Sequence, residues 1–600
     1  MAIPEYNLPS NSYVNFDAVS LKSFMIERLN EGGKFTDQNY EGSNISSILD
    51  ILAYYTHVLL FYLNQTSSES SFSQATIYEN MNRIVKLIGY KPTGKQTSMV
   101  PINCTANSFL TIGNYTIPKY SYFLIDNIQY TFKDSVSFEK SLSGSEMIQS
   151  VDDNVVLYQG TIGEYPLYTA DGIDYETFPI VVDNLVDKKD IRFISHGTIT
   201  VYVKESNGAW YEYEEVDSLF LTTSTARVCE IRLNENGHYE VKFGNGIFGK
   251  ALNSGDEVAV FYILSDGERG LISKNAINAN KLFNYRSSRF NEIYNALNSL
   301  NTSYEINESN KSYLSFTNPS NSTPIREAET VEQIKENSPA FLSTQLRLVT
   351  ESDYEKFLKK SIPNVLNDVK VVNNQSFISG YISYFYDICV DPNKVNRVIL
   401  NQVNFADSCD FNNINIFCVP QFKTLDEEYP NFLSSSFKNL IKNLTNDKKI
   451  ISHEVVPRDP IYMGIDIGFG NESPNKNVYK NCRVVITREK NDKTNKETIK
   501  SKVLKVIQDY FDSSNIKLGQ TIDMSYLTSN ILSIPGVKSI KTKNDSEDLY
   551  FNGLSFIIWN PLYEDLDVEY LNQTTTLPYF KYPYLYRPNA LISKIDVIDE

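Results

Sequence analysis

The chain is poor in the residues that most chemistry requires. Its 600 residues include two Trp, four His and six Cys. The cysteines stand at 104, 229, 389, 409, 418 and 482 with no CxxC pair. That spacing argues against a zinc site or a disulfide framework and points to free thiols in a reducing compartment. The Asn-X-Ser/Thr sequons are then chance matches in an Asn-rich chain. His57, His196, His238 and His453 lack the HxH or HxxxH spacing of a metal site, so no metal is expected. Positive charge is also short. The net charge of −17 argues against holding nucleic acid by its phosphates. There is no G-x-S-x-G elbow and no local signature of a nucleophilic Cys or Ser. The N-terminus, MAIPEYNLPS, lacks the basic and apolar regions of a signal peptide. We expect no catalytic residues, no cofactor and no enzyme activity.

Long hydrophobic runs are scarce as well, and the one present is unusual. Asn44 to Ser67 (NISSILDILAYYTHVLLFYLNQTS) predicts a helix with almost no solvent face. Ile45, Ile48, Leu49, Leu52, Leu59, Leu60 and Leu63 follow the spacing of a core-facing stripe. Ile51, Tyr54, Tyr55, Val58, Phe61 and Tyr62 widen it. Ser46, Asp50, His57 and Asn64 fall within roughly 40° of one another, leaving one narrow polar slot. His57 there reads as a buried, hydrogen-bonded histidine. A membrane is a poor home, because the apolar run is shorter than the ~20 residues of a span and Asp50 costs ~2.5–3.5 kcal/mol at mid-bilayer. Water is worse: exposing the six widening residues forgoes on the order of 10 kcal/mol. Burial within a large domain or in a bundle shared with other chains remains, and the neighbouring helices offer few apolar faces. One runs from Asp17 to Glu31 and stops at Gly32-Gly33. The other starts at a capping box, Thr76-Ile-Tyr-Glu79, carries Ile77, Met81, Ile84, Val85 and Ile88, and ends at Gly89.

From about Ile102 to Ile272 the period becomes that of strands. His238 to Phe243 alternates, with Tyr239, Val241 and Phe243 inward, and Val258 to Leu264 is apolar on both faces, as in a doubly covered strand. Asn278 to Thr323 is Asn- and Ser-rich and reads as a linker or extended arm. Beyond it the pattern is mixed α/β. Thr330-Val-Glu-Gln333 and Thr350-Glu-Ser-Asp353 are helix starts. A unit of helix, S-I-P-x-V and strand occurs at Ser361–Val365 and again at Ser533–Val537, which suggests two related α/β units. The Tyr/Pro-rich tail (LPYFKYPYLYRP) has little core logic and is expected to lie extended over a neighbour. The expected fold class is multidomain α+β. It comprises N-terminal helices (1–98, a shared bundle segment), a β-rich domain (99–275), a linker (276–340), mixed α/β domains that hold contacts between copies (341–545) and the tail (546–600).

Phe243-Gly-Asn-Gly-Ile-Phe-Gly-Lys-Ala251 is a decoy. It contains G-x-G-x-x-G and G-x-x-x-x-G-K, but Ala251 stands where a P-loop needs Ser or Thr for magnesium. Leu252-Asn-Ser-Gly-Asp256 follows, a turn in place of the required helix. Gly244, Asn245, Gly246 and Gly249 are therefore read as tight β-turns, as Pro535 and Gly536 are later in the chain.

Three stretches together resemble the baseplate wedge family of contractile-tailed bacteriophages, whose shared core is the baseplate J-like module. They are GSNISSILDILAYYTHVLLFYLNQTSSESSFSQATIYENMNRIVKLIGYKP, YEVKFGNGIFGKALNSGDEVAVFYILSDGERG, and LRLVTESDYEKFLKKSIPNV with LGQTIDMSYLTSNILSIPGV. The resemblance implies a structural subunit of the virion tail baseplate, made and assembled in the host bacterial cytoplasm. It also implies partners: a second copy of the chain in each wedge, a longer wedge-spanning subunit in the shared helical bundle, and a small lysozyme-like sheath adaptor nearby. Wedges would join into a ring around the tail tube and transmit the change that triggers sheath contraction. Two alternatives come from other classes. A cell-wall glycan-degrading tail protein would need a carboxylate pair in a cleft. A receptor-binding tail protein would show β repeats or a trimeric shaft, which the sequence lacks.

Overall fold

A computed structural model describes residues 18–31, 43–142, 144–148, 155–182, 192–277, 282–298, 303–307, 310–344, 347–382, 384, 412–421, 432–469, 482–490, 494–545, 548–561 and 568–599. The chain is a multidomain α+β protein that divides into two units. The first comprises residues 1–91 with two short later pieces, 234–237 and 330–336; the second holds the remainder.

The first unit is helical: α1 (Ala18–Glu31), α2 (Asn44–Glu69) and α3 (Tyr78–Lys86). The expected stop at Gly32-Gly33 lies outside the described residues. The Ser43 hydroxyl caps α2 by accepting from the Ser46 N–H at 3.0 Å. The start of α3 differs from the sequence expectation. Its N-cap is Ile77, whose side chain makes no capping bond. The capping acceptor comes from the end of α2 instead. The Glu69 carboxylate accepts from the Thr76 hydroxyl at 2.7 Å, from the N–H groups of Thr76 and Ile77 at 3.1 and 3.2 Å, and from Asn80 Nδ2 at 3.2 Å. These bonds hold its pKa down to about 2, the Thr76 hydroxyl contributing most and burial opposing them. Gly89, at φ +75°, turns the chain away after α3.

The second unit has several cores. In its β region, a nine-stranded sheet is built around Glu257–Ser265. Tyr239, Val241 and Phe243 are buried on one face of this sheet with Val201, Val203, Val258 and Val260. The double cover expected for the central strand is supplied by an unexpected element, the helix Ser288–Leu297, which lies in the supposed linker. Its Phe290 and Ile293 pack with Tyr202, Ala259 and Phe261 on the opposite face, and Trp210 Nε1 donates to Glu292 at 2.9 Å. Other described parts of that segment are also folded in. Leu282–Phe283 pairs with Tyr122–Phe123, Tyr304–Glu305 with Tyr115–Thr116, and Leu314–Thr317 with Asn103–Ala106. Polar composition concealed these strands because each is only two to four residues long.

The α/β part begins with a capped helix. Thr350 and Asp353 form a complete capping box before Glu351–Ser361, and in the 330–336 piece of the first unit Thr330 and Gln333 exchange side-chain bonds with each other's N–H groups. One sheet, Leu366–Asn373, Asn413–Pro420 and Glu454–Arg458, shares a core with Glu351–Ser361 and Ser435–Asn446. A larger core follows, in which Ile499, Val503 and Ile507 of Lys496–Tyr510 meet Leu527 and Ile531 of Met524–Leu532. The Tyr/Pro-rich segment 577–588 belongs to this core, packed within its own chain where an extended course over a neighbour was expected. Lys581–Leu585 is buried at every position and runs parallel to Ile461–Ile465. Its tyrosines therefore act as interior residues, and Pro583, in a fully buried strand, reads as exposed only in sequence.

The two S-I-P-x-V segments fold alike. In each the Val N–H donates to the Ile carbonyl at 3.1 Å, from Val365 to Ile362 and from Val537 to Ile534, and all four side chains are buried. Each leads into a strand antiparallel to a central strand that is parallel to a third. The chain order differs, because the central strand follows the first turn but precedes the second. The local unit recurs in different wiring, which does not fit a simple tandem duplication.

Candidate interface surfaces

The exposed apolar surface of the first unit is concentrated on α2. α1 packs along α2 on the side of the presumed polar slot. Ser46, Leu49 and Ala53 are buried there with Leu21, and Lys22 reaches Asp50 at 2.7 Å. The stripe expected to face a core is left uncovered: Ile48, Leu52, Leu59, Leu60 and Leu63 are all exposed, and only Leu49 of the seven is fully buried. One short helix covers one side of a cylinder, and the short polar residues of the slot allow the closer approach. Of the widening residues, Ile51, Tyr54, Tyr55, Phe61 and Tyr62 are 60–68% exposed and Val58 is half-buried. From Phe61 round to Leu63 the uncovered apolar arc spans roughly 200° at 100° per residue. The helix is 26 residues long, longer than the run judged too short for a span, and by length and composition alone it is apolar enough to cross a membrane.

The glycine segment forms turns. Gly246 and Gly249 take φ +80° and +73°, and Gly246 N–H donates to the Gly249 carbonyl at 2.9 Å. Asn245 Oδ1 accepts from the N–H groups of Ile247 and Phe248 at 3.1 and 2.9 Å. A strand follows, Glu257–Ser265, so no helix N-terminus faces the loop. Lys250 pairs with Glu205 at 2.6 Å, and Arg227 holds the same carboxylate at 2.8 Å. Burial pushes that carboxyl up, but the two cations outweigh it and hold it below the usual range. Lys250 therefore has a structural partner. Pro535 and Gly536 (φ +91°) form the second S-I-P-x-V turn, remote in sequence and in sheet from the first loop.

Sequence reasoning overlooked an apolar tip around the glycine loop. Ile247, Phe220, Leu221 and Ile173 are each at least 60% exposed, and the Phe220 ring lies 5.4 Å from that of Phe248. The signal was present in Ile247-Phe248, an apolar pair at the apex of a turn that normally carries polar residues. Among the described residues no group of three or more His, Cys, Asp or Glu is placed to hold a metal. Cys104, Cys229, Cys418 and Cys482 are buried free thiols, and burial pushes Cys104, Cys418 and Cys482 up, away from the reactive thiolate. Cys389 and Cys409 lie outside the described residues.

No family model matches the chain. It is 24% identical over 395 residues to the baseplate wedge protein gp6 of Enterobacteria phage T4, a match covering 62% of this chain and 53% of the phage protein. Over that stretch the chain is similar to a baseplate wedge protein. It spans about half the length of the curated relative it matches. A solved baseplate of the anti-feeding prophage aligns over 94% of this chain and 97% of its own, at 10% identity and a TM-score of 0.29, too low to carry an argument.

Proposed function

We propose that this chain is a structural subunit of a phage tail baseplate, and that α2 is its assembly element. The observation that carries the reading is the uncovered apolar arc of α2. Leaving it in water costs on the order of 10 kcal/mol, and a bundle with helices of other chains removes that cost. The partners that fit this reading are a second copy of this chain and a longer wedge-spanning subunit in the bundle, with a small sheath adaptor nearby. The role is mechanical, joining wedges into a ring around the tail tube and passing on the rearrangement that starts sheath contraction. The α/β half holds the contacts between copies, because a closed ring needs a surface besides the one used within a wedge. No enzymatic step is assigned.

A protein bundle suits α2 better than a bilayer. Polar contacts tie it within its first two turns and at its C-terminal end, Asp50 to Lys22 and Glu69 to the start of α3. Negative-stain images of tailed particles labelled with antibody to this chain test the proposal. Label at the baseplate end of the tail is expected. Label on fibre tips, or flotation of the chain with liposomes through α2, would overturn it.

A further inference from the structure

Within the second unit, the β region and the α/β part meet at a buried polar junction. Residues 93–99 run beside 323–329: Gln96 and Arg326 exchange backbone bonds at 2.9 and 3.0 Å, and Thr323 N–H donates to the Met99 carbonyl at 2.8 Å. On the β side of this ribbon every partner is satisfied. Thr97 N–H donates to Ser195 Oγ at 3.1 Å, its hydroxyl to the Gln159 carbonyl at 2.7 Å, and Ser265 Oγ to Gln159 Oε1 at 2.7 Å. All four of these residues are at most 1% exposed.

The α/β side is held differently. Two side-chain bonds reach across to the first S-I-P-x-V turn: Gln96 Nε2 donates to the Ser361 carbonyl at 3.3 Å, and Asn364 Nδ2 donates to the Thr97 carbonyl at 3.1 Å. In both amides the oxygen is buried without a hydrogen-bond partner among the described residues. Flipping either amide would set its oxygen against a carbonyl, so the orphans are inherent in this arrangement. Beside them, Met99 and Val156 share an apolar core with Leu358, Val365 and Ile416. Further out, an exposed ion pair joins Asp217 of the β region to Lys448 of the α/β part.

We infer that this junction is a hinge. Met99 and Val156 are the pivot, the two half-satisfied amides are the opening side, and Asp217–Lys448 is a surface latch. Opening loses two bonds but lets water reach both stranded oxygens, which narrows the gap between the closed and open states. The second turn has Gly536 where the first has Asn364, so the joint belongs to the first copy alone.

The test is pulsed electron spin resonance on the full chain with nitroxides at Ile247→Cys and Ile451→Cys, which are 65% and 99% exposed. Cys389 and Cys409 are replaced by Ser in this background, and the buried thiols stay unlabelled. A closed population with a longer minor one is expected. Asp217→Ala should raise the longer population roughly two- to fivefold, the range for losing one surface ion pair. Asn364→Asp, which places an unpaired carboxylate in the closed joint, should raise it further. One narrow distribution unchanged in Asp217→Ala would overturn the hinge, and that variant decides the matter if Asn364→Asp fails to fold.

Discussion

Glu69 shows how one side chain can set a local fold. It closes the turn between α2 and α3 by accepting from two backbone N–H groups and two side chains. Its pKa is about 2 in the folded chain against an ordinary 4.5. A lowered carboxylate stabilises the fold above the ordinary value, and that contribution fades as pH falls from about 4.5 toward 2. Glu69→Gln should therefore lower the melting temperature of the helical unit at neutral pH. It should also flatten the loss of stability over that acid window, read by circular dichroism melts at several pH values. Equal pH dependence in both proteins would remove Glu69 from this role.

The glycine loop separates two kinds of constraint. Gly246 has open space for a Cβ, with only Ala251 at 3.9 Å, so Gly246→Val suffers backbone strain alone, about 1–2 kcal/mol. A Cβ at Gly244 would collide with the Gly249 carbonyl, which is backbone and cannot swing aside. Gly244→Ala should therefore destabilise more than Gly246→Val, judged by urea midpoints. The reverse order would contradict this packing. Lys250→Ala leaves Arg227 on the buried Glu205, so a loss of roughly 1.5 kcal/mol is expected. Calorimetry at millimolar ATP should detect no binding to either protein.

At the scale of the element, α2 carries its meaning in the arc left uncovered. Tyr55→Asp and Tyr62→Asp place a charge where a partner helix would bury it, while leaving the side packed on α1 intact. Each should abolish incorporation into particles, because an unpaired carboxylate cannot be buried cheaply. The isolated chain should keep its melting temperature, since both positions already face solvent. Normal incorporation of both variants would remove this face from the assembly.

At the scale of the whole molecule, the boundary between the units decides where the chain can be cut. Removing residues 1–98 would strip away Gln96, which exchanges backbone bonds with Arg326, and Ser98, whose hydroxyl donates to the Thr323 carbonyl. A chain starting at Pro92 keeps that ribbon and the second unit entire. Sedimentation of this shorter chain at high concentration should show weak self-association as a two-fold dimer through the α/β half. A strictly monomeric result would move the contact between copies into the β region.

The sequence by itself determined what depends on near neighbours. The apolar run of α2, the capping box at Thr350, the alternation from Tyr239 to Phe243 and the paired S-I-P-x-V turns were legible because each rests on spacing within one element. The glycine loop was legible as turns for the same reason. Only the tertiary structure decided what those elements meet. It placed Phe290 and Ile293 of the supposed linker on the back of the central sheet, and it made Tyr582 and its neighbours interior strand. It also gave the capping of α3 to Glu69, and set α1 on the polar side of α2. Each of these outcomes depends on which surface packs against which across long stretches of chain. Two-residue strands and Tyr/Pro-rich segments carry too little periodicity to announce that packing themselves.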